Sequence, residues 1–104
     1  MTARTLVVTP AARRDLRQIA EYLKQQAGAR IALRWSEDVT RRVRQLRRQP
    51  LMGALDPDLA PPRRLVAGPY LVFYQYREAD SVVVVARVLH GSRDLPTAFG
   101  SEAD

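Results

Sequence analysis

The feature that most constrains the fold is a stretch rich in β-branched and aromatic residues, residues 63–94 of a 104-residue chain. It also contains the only histidine, His90. Two turn-forming sequences, Gly68-Pro69 and residues 78–81, divide it into three runs. Runs of this composition, separated by such turns, are typical of strands joined by hairpins. The stretch therefore predicts an antiparallel β-meander with strands over Arg63–Ala67, Tyr70–Arg77 and Val82–His90.

The third run also predicts which of its residues face the interior. Its even-numbered positions are all apolar, whereas its odd-numbered positions include a charged residue. Because successive side chains of a strand point to opposite faces, we expect the even set to face the helices and the odd set to face away. The even set is Val82, Val84, Ala86 and Val88, and the odd set is Val83, Val85, Arg87 and Leu89.

Two amphipathic helices are predicted before the meander. Thr9-Pro10 marks the start of the first, because threonine caps helix N-termini and proline fits the first helical position. Apolar residues then recur at helical spacing until Gly28, which favours a helix end. A second helix should follow directly and end before Pro50. The predicted elements are a strand over residues 4–9, a helix from Pro10 to about Ala27 and a helix from about Ala29 to Gln49.

The order of these elements predicts an α+β domain of two layers. Gly28 is the only break between the helices, so they should form an αα-hairpin whose apolar stripes pack on one face of the antiparallel sheet. A single domain is expected over residues 1–104, with a polar tail over residues 91–104. Residues 50–62 contain four prolines and predict a surface loop. Three apolar residues should order this loop: Leu51, Met52 and Leu55.

The chain is strongly basic, with 17 lysine and arginine residues against 11 acidic residues and a net charge of +6. All but Lys24 of the basic residues are arginine, whose planar guanidinium suits bidentate contact with phosphate or carboxylate. Nucleic acid and an acidic polypeptide both fit such a surface, although arginine richness also follows from a GC-rich genome. Five arginines lie near the end of the second helix. They form either a solvated face, favoured by the negative end of the helix dipole, or a contact surface for an acidic partner. They are Arg41, Arg42, Arg44, Arg47 and Arg48.

Several functional classes lack support in the residues present. The chain has no cysteine, which excludes disulfides and thiol catalysis and fits a reducing cytoplasm. One histidine and scattered carboxylates do not make a metal site, and no glycine-rich nucleotide-binding motif is present. We therefore expect no metal and no cofactor. No stretch approaches the roughly 20 apolar residues that span a bilayer, and no signal peptide is predicted.

The segment His90-Gly91-Ser92-Arg93-Asp94 is the clearest local candidate for a functional site. It should lie where a core strand leaves the sheet, a common place for functional side chains. In one interpretation, Arg93 contacts phosphate and His90 acts as an acid, a base or a hydrogen-bond donor. In the other, His90 caps the end of the sheet and Arg93 pairs with a carboxylate. A Ser/His/Asp hydrolase is not supported, because a triad needs its histidine between the serine and the acid.

Short segments in a fixed order resemble a known family. They are Thr9-Pro10-Ala11-Ala12, Asp15-Leu16 with Ile19 and Tyr22-Leu23, Ala32 with Leu46, Pro50 and Gly53, Arg64-Leu65-Val66, Tyr70-Leu71-Val72-Phe73-Tyr74, and Arg87-Val88-Leu89-His90-Gly91-Ser92-Arg93-Asp94. Over about residues 5–95 the chain resembles the ParE/RelE superfamily of toxins from bacterial type II toxin–antitoxin systems. The last segment is similar to the ParE branch.

This resemblance implies a strand, a helix hairpin and a three-stranded sheet, in agreement with the predicted α+β fold. It implies a toxin that arrests growth and contributes to stabilisation of a plasmid or genome. It also implies a hetero-oligomer with a ParD-like antitoxin, and the toxin would contact operator DNA only through that antitoxin. An acidic C-terminal segment of the antitoxin would fold into an arginine-lined groove between the hairpin and the sheet. The residues expected to bind it are Arg41, Arg42, Arg44, Arg48, Tyr70 and Tyr74, of which the two tyrosines could instead belong to the core.

The resemblance also separates two activities. RelE-like members cleave mRNA on the ribosome, whereas ParE-like members inhibit DNA gyrase and leave DNA breaks. Where RelE-type enzymes carry an arginine in the middle strand, this chain has Leu71, and their C-terminal catalytic tyrosine falls near Phe99. Neither side chain can transfer a proton, so the resemblance implies a gyrase inhibitor that is not itself an enzyme. The residues expected to carry toxicity or target binding are Arg93, His90, Arg87 and Arg64.

Two alternatives stay open beside gyrase inhibition. One is a RelE-like, ribosome-dependent mRNA endoribonuclease, for which Arg93 roughly matches a catalytic arginine. The other is a non-toxic module that only associates with an antitoxin-like protein.

Overall fold

Two helices lie on one face of a five-stranded sheet. The computed structural model describes residues 4–92. The elements in chain order are β1 (Thr5–Val8), α1 (Pro10–Ala27), α2 (Ala29–Gln45), β2 (Ala54–Leu55), β3 (Arg63–Ala67), β4 (Tyr70–Arg77) and β5 (Val82–His90). This confirms the predicted α+β architecture of an N-terminal strand, an αα-hairpin and an antiparallel meander, and the three meander strands have the predicted bounds.

The helix hairpin is set by the residues at its ends. Thr9 Oγ1 accepts a hydrogen bond from the backbone N–H of Ala12 at 3.1 Å, which satisfies one of the free donors in the first turn of α1. At the other end Gly28 has φ of +98°, a conformation that L-residues with a side chain rarely adopt. Glycine at this position therefore allows α1 to end and α2 to begin within a single residue.

The strand order of the sheet is β1-β5-β4-β3-β2. The meander strands pair antiparallel, and β1 pairs parallel with the first half of β5, from Thr5 opposite Val82 to Val8 opposite Val85. The first strand of the chain therefore lies beside the last one, and β1 forms one edge of the sheet. The short strand β2 forms the other edge by pairing with β3, and it falls where the sequence predicted only a loop.

The predicted orientation of β5 was wrong over its first half. Val83 and Val85 lie in the core beneath the helices, where the sequence placed Val82 and Val84. The reason is a β-bulge: Phe73 pairs with Arg87 but the next residue of β4 pairs with Val85, so one extra residue of β5 shifts the alternation. Beyond the bulge the prediction holds, since Val88 belongs to the core cluster and Leu89 packs with Phe73 on the opposite face.

The second helix ends earlier than predicted, at Gln45 rather than Gln49. Beyond Gln45 the backbone tightens into turns, in which the N–H groups of residues 46–48 each bond the carbonyl three residues back, beginning with Leu46 to Val43. The tightening keeps Leu46 in the core, where it is fully buried.

A tyrosine rather than the predicted apolar residues orders the loop after α2. Tyr74 Oη donates to the carbonyl of Pro50 at 2.8 Å and accepts from the N–H of Gly53 at 2.9 Å. The side chain of Tyr74 is fully buried, so both hydrogen bonds lie in the core. The residues expected to order the loop are all exposed instead: Leu51, Met52 and Leu55.

Candidate functional site

Two surfaces hold most of the described residues that the sequence singled out: the face of the sheet turned away from the helices, and α2 with the turns that follow it. On the sheet, Arg64 of β3 pairs with Phe73 of β4, which pairs with Arg87 of β5. Directly opposite residues of neighbouring strands share a face. Two of the four residues expected to carry toxicity therefore flank one buried phenylalanine.

Arg87 is held by a carboxylate from the helix layer. Its Nε lies 2.8 Å from Asp15 Oδ2 and its Nη2 lies 3.2 Å from Asp15 Oδ1, which is a bidentate contact. The side chains are 21% and 10% exposed, so the ion pair is largely removed from water. This geometry makes Arg87 a residue that joins β5 to α1.

Asp15 also completes the edge of β5. The strand β1 stops pairing at Val85, so the second half of β5 has no strand on that side. Asp15 Oδ2 accepts the N–H of Val88 at 2.9 Å, and Thr9 Oγ1 donates to the carbonyl of Ala86 at 2.9 Å. The start of α1 thus satisfies backbone groups that a strand would otherwise pair, as buried polar groups require.

Asp15 was not predicted from the sequence to join α1 to β5. It is the one buried charged residue in the part of the chain described. A signal was present in the sequence, because Asp15 falls on the apolar stripe of α1, three residues after Ala12 and four before Ile19. A carboxylate at such a position is buried, and a buried carboxylate needs a cationic or hydrogen-bonding partner.

Arg64 is more accessible than Arg87. Its Nη1 lies 3.5 Å from Asp56 Oδ2, and the two side chains are 37% and 32% exposed. Such an exposed pair is weak and can be exchanged for another anion at little cost. Arg64 is therefore able to contact a partner that approaches the sheet.

His90 lies at the end of β5, where the chain leaves the sheet. Its Nδ1 accepts the backbone N–H of Ser92 at 3.1 Å and lies 2.7 Å from Ser92 Oγ. Its ring meets the Tyr70 ring edge to face at 5.3 Å. His90 therefore shapes the turn after β5, as in the structural interpretation, and it is also exposed and available for contact.

Two further predicted positions, Arg93 and Phe99, lie outside the described residues. Leu71, at the position where RelE-type enzymes carry an arginine, is half-buried and packs against the cluster of Phe73 and Leu89. This part of the sheet is apolar.

Of the four arginines expected to bind an antitoxin, three lie on α2 and Arg48 lies in the turns that follow it. Arg42 is partly buried and the other three are exposed. Arg41 and Arg42 both pair with Asp38, and Arg42 also donates to the carbonyl of Val66 at 3.2 Å, across to β3. The hydrogen bond from Arg42 holds the pKa of Asp38 below its usual value, against a smaller opposing effect of desolvation. The remaining two are Arg44 and Arg48.

Two shallow depressions lie beside these arginines on α2. One is lined by Ser36, Glu37, Thr40, Arg41 and Arg44. The other is lined by Ile31, Arg34, Trp35, Glu37, Asp38 and Arg41, and combines charge with an apolar floor. Trp35 was not predicted as a binding residue, although a tryptophan within an arginine-rich helix is a signal for one.

Tyr70 and Tyr74 occupy the core, which is the alternative stated for them. Tyr70 is 6% exposed and packs edge to face with Trp35 at 5.3 Å, and burial raises its pKa. Burial also raises the pKa of Tyr74, against smaller opposing effects of its bond from Gly53 and of Arg63. The Tyr70 ring thus packs beneath α2, against Trp35.

No helix among residues 4–92 is long and apolar enough to cross a membrane. In the same residues, no group of three or more histidine, cysteine or acidic side chains is placed to hold a metal ion. The arrangement described is one of charged and apolar surfaces on a rigid frame, which is suited to contact with another macromolecule.

Comparison with known proteins identifies the family. The model of the family described as "ParE toxin of type II toxin-antitoxin system, parDE" matches residues 6–95. The chain belongs to the ParE toxin family. This confirms the resemblance stated from the sequence, including its placement in the ParE branch. A search of curated proteins found no match to this ParE-family toxin.

Solved structures share the fold of this ParE-family toxin. A chain of the chromosomal ParDE toxin–antitoxin system from P. aeruginosa has a TM-score of 0.72 at 21% identity, over 85% of this chain and 96% of that chain. A chain of the toxin–antitoxin complex RelBE2 from Mycobacterium tuberculosis has a TM-score of 0.60 at 24% identity, over 86% of this chain and 99% of that chain. At these identities the likeness concerns the fold alone.

Proposed function

We propose that this ParE-family toxin arrests growth by inhibiting DNA gyrase and trapping it on cleaved DNA. The observation that carries the choice of gyrase over mRNA cleavage is Leu71, at the position where a RelE-type ribonuclease carries an arginine. Its side chain packs with Phe73 and Leu89 and offers neither charge nor a transferable proton. The proposal places toxin and target together in the cytoplasm.

The chemistry of RNA cleavage supports the same choice. Attack by a 2′-hydroxyl needs a group that takes its proton and cations that stabilise the developing charge on the phosphate. Arg87, which lies on the same face of the sheet, is engaged by both oxygens of Asp15. The described part of this face is therefore better suited to binding than to proton transfer.

Toxicity is proposed to depend on the end of β5 and the sheet face beside it. His90 and Arg64 are the accessible members of the predicted set, and Arg93 follows His90 in the chain. Arg87 belongs to the same set, where it would act by holding β5 in position. The proposed contact with gyrase thus extends from the C-terminal end of β5, at His90, to Arg64 and Phe73 on the neighbouring strands.

Neutralisation is proposed to occur on α2 and the turns that follow it. A type II antitoxin with an acidic C-terminal segment would place carboxylates against the exposed guanidinium groups of this helix and an apolar side chain against Ile31 and Trp35. The structural neighbour from P. aeruginosa is itself a ParDE system. The antitoxin would also carry operator DNA recognition and repress the operon jointly with the toxin. The proposed contact arginines are Arg41, Arg42, Arg44 and Arg48.

Expression of the toxin in bacteria without its antitoxin tests the proposed target. Cells should stop dividing, their plasmids should become relaxed or broken, and their mRNA should stay intact. Coexpression of the antitoxin encoded beside the toxin should restore growth. Cleaved mRNA with unchanged plasmid topology would instead establish the RelE-like activity, and unimpaired growth would establish a non-toxic binding module.

A pair of arginine variants tests the proposed toxic surface. Arg93→Ala should relieve growth arrest while leaving antitoxin binding and thermal stability unchanged. Arg77→Ala is the control, since Arg77 ends β4 opposite the first residue of β5, at the end of the sheet away from His90. Its Nη1 lies 3.9 Å from Asp80 Oδ2. Equal loss of toxicity in both variants, or unfolding of Arg93→Ala, would remove the support for a local contact through Arg93.

A further inference from the structure

The arginines of the sheet and of the helices differ in how their charge is compensated. On the sheet, Arg64, Arg77 and Arg87 each lie within ion-pair distance of a carboxylate. The fourth, Arg63, donates to the carbonyl of Gly53 at 3.1 Å. Arg63 therefore keeps its charge without a carboxylate partner, but the strands hold little of the excess positive charge of the chain.

The helices carry the uncompensated charge. Within the part of the chain that the structure describes, five helical arginines are exposed and make neither an ion pair nor a side-chain hydrogen bond. Only Asp38 among the carboxylates of α2 pairs with arginine, and it is shared by Arg41 and Arg42. We call the uncompensated cations the basic face: Arg14, Arg17 and Lys24 of α1, and Arg30, Arg34 and Arg44 of α2.

These residues point away from the core on both helices. On α2, Arg30, Arg34 and Arg44 follow one another at spacings of 4 and 10 residues, opposite the buried stripe that contains Val39. Arg14 and Arg17 are one helical turn apart on α1. At 1.5 Å per residue, the arginines of α2 extend over about 21 Å of helix axis.

We propose that the toxin itself binds the phosphate backbone of duplex nucleic acid through the basic face, without sequence preference. A DNA duplex carries one negative charge per about 1.7 Å, hence about 12 phosphates over the length of α2. Guanidinium groups match phosphate oxygens in a bidentate geometry. The proposal goes further than the expectation that DNA is reached only through the antitoxin, and it holds whether or not gyrase is the target.

Two features favour a polyphosphate over an acidic polypeptide on this face. A helical peptide has about 14 residues over 21 Å, of which only the acidic ones on the facing side can pair with arginine, whereas each of the about 12 phosphates of a duplex is charged. An amphipathic peptide also needs an apolar groove. The depression with an apolar floor, at Ile31 and Trp35, lies on one flank of α2 and includes Arg34 alone of the basic face.

Fluorescence anisotropy with a labelled mixed-sequence DNA duplex tests the proposal on the purified toxin. The logarithm of the association constant should fall linearly with the logarithm of salt concentration, with a slope of about −4 to −5 for four to six phosphate contacts. An RNA duplex of equal length should bind with a similar slope, because the backbone charge is shared. A polyglutamate peptide of equal charge is the competing ligand.

The deciding variant is Arg17→Gln with Arg34→Gln, which takes one cation from each helix and leaves the proposed antitoxin arginines in place. Each lost phosphate contact lowers affinity about eightfold at 0.1 M salt, so the pair should lower it about 60-fold and flatten the slope by about 2. The same two positions changed to lysine should retain the slope. Arg77→Gln removes a compensated charge and should change the slope by less than about 0.5.

Circular dichroism establishes that each variant is folded, and these exposed substitutions should leave the melting temperature unchanged. The inference is overturned if the Arg17→Gln/Arg34→Gln variant binds duplex as tightly as the parent, or if the slope for the parent is flatter than about −1. It is also overturned if polyglutamate binds more tightly than DNA and is the only ligand weakened by the variant. In that case the basic face serves an acidic polypeptide.

Discussion

Replacing Asp15 by alanine removes the carboxylate that joins α1 to β5, and the structure gives the size of the effect. Three hydrogen bonds are lost: two from Arg87, at 2.8 and 3.2 Å, and one from the N–H of Val88 at 2.9 Å. Removing one partner of a buried ion pair costs about 3–5 kcal/mol, and a buried N–H left without an acceptor costs about 1–3 kcal/mol.

The ion-pair part has to be reduced, because the Arg87 side chain is 21% exposed and water partly replaces the lost carboxylate. We expect Asp15→Ala to lower the free energy of unfolding by about 3 kcal/mol, from a total of about 5–15 kcal/mol. For a domain of this size the melting temperature should fall by about 12–24 °C. Asp15→Asn retains an acceptor for Val88 and should lose about 1–2 kcal/mol.

Urea unfolding followed by circular dichroism measures these differences, and Asp80→Ala is the matched control. Asp80 also pairs with an arginine, but the two side chains are 55% and 61% exposed, so its loss should change stability by less than about 0.5 kcal/mol. If Asp15→Ala and Asp80→Ala lower the midpoint equally, the bridge between α1 and β5 does not stabilise the fold and the argument from burial is refuted.

Three further predictions concern the loop, the tyrosines and α2. Gly53→Ala should destabilise the protein by about 1–3 kcal/mol, since the new Cβ would lie 2.6 Å from Tyr74 Oη; an unchanged urea midpoint would show that the contact relaxes. Because burial raises the pKa of Tyr70 and Tyr74 above 10.0, the stability they contribute is complete below pH 10 and should be lost above it, as tyrosinate absorbance rises with unfolding. Arg42→Gln should raise the pKa of Asp38 towards its usual value in an NMR titration, and an unchanged value would exclude their hydrogen bond as the cause.

The boundaries of most elements followed from local chemistry. A threonine cap, a proline in the first turn and a glycine of positive φ mark the ends of α1, and each acts within a few residues of its own position. The Gly68-Pro69 turn and the polar residues 78–81 mark the strand ends in the same way. Such features are visible in a sequence because they need no distant partner.

The features that the sequence did not predict depend on distant partners. The bulge at Ala86 exists in the pairing of β5 with β4, so no alternation pattern within β5 alone reveals it. The strand β2 forms because β3 provides a partner, and Asp15 bonds β5 because the N–H of Val88 is left unpaired by a strand.

For the candidate surfaces too, local features could be predicted and contacts between distant residues could not. The exposed positions of Arg41 and Arg44 could be predicted from helical periodicity, because they lie opposite the buried stripe. What could not be predicted is which arginines are compensated by carboxylates: Arg87 and Arg64 on the sheet depend on Asp15, from α1, and Asp56, from the loop. Charge pairing across elements decides which arginines remain available to a partner.

A supercoiling reaction with purified components tests most directly the proposal that this ParE-family toxin acts on gyrase. Toxin is added to gyrase, ATP and relaxed plasmid, and the products are treated with detergent and protease before electrophoresis. If gyrase is the target, supercoiling should fall and linear, cleaved plasmid should accumulate with toxin concentration. The cognate antitoxin should prevent both effects. Undiminished supercoiling with no cleaved plasmid, from toxin that arrests growth in cells, would contradict it.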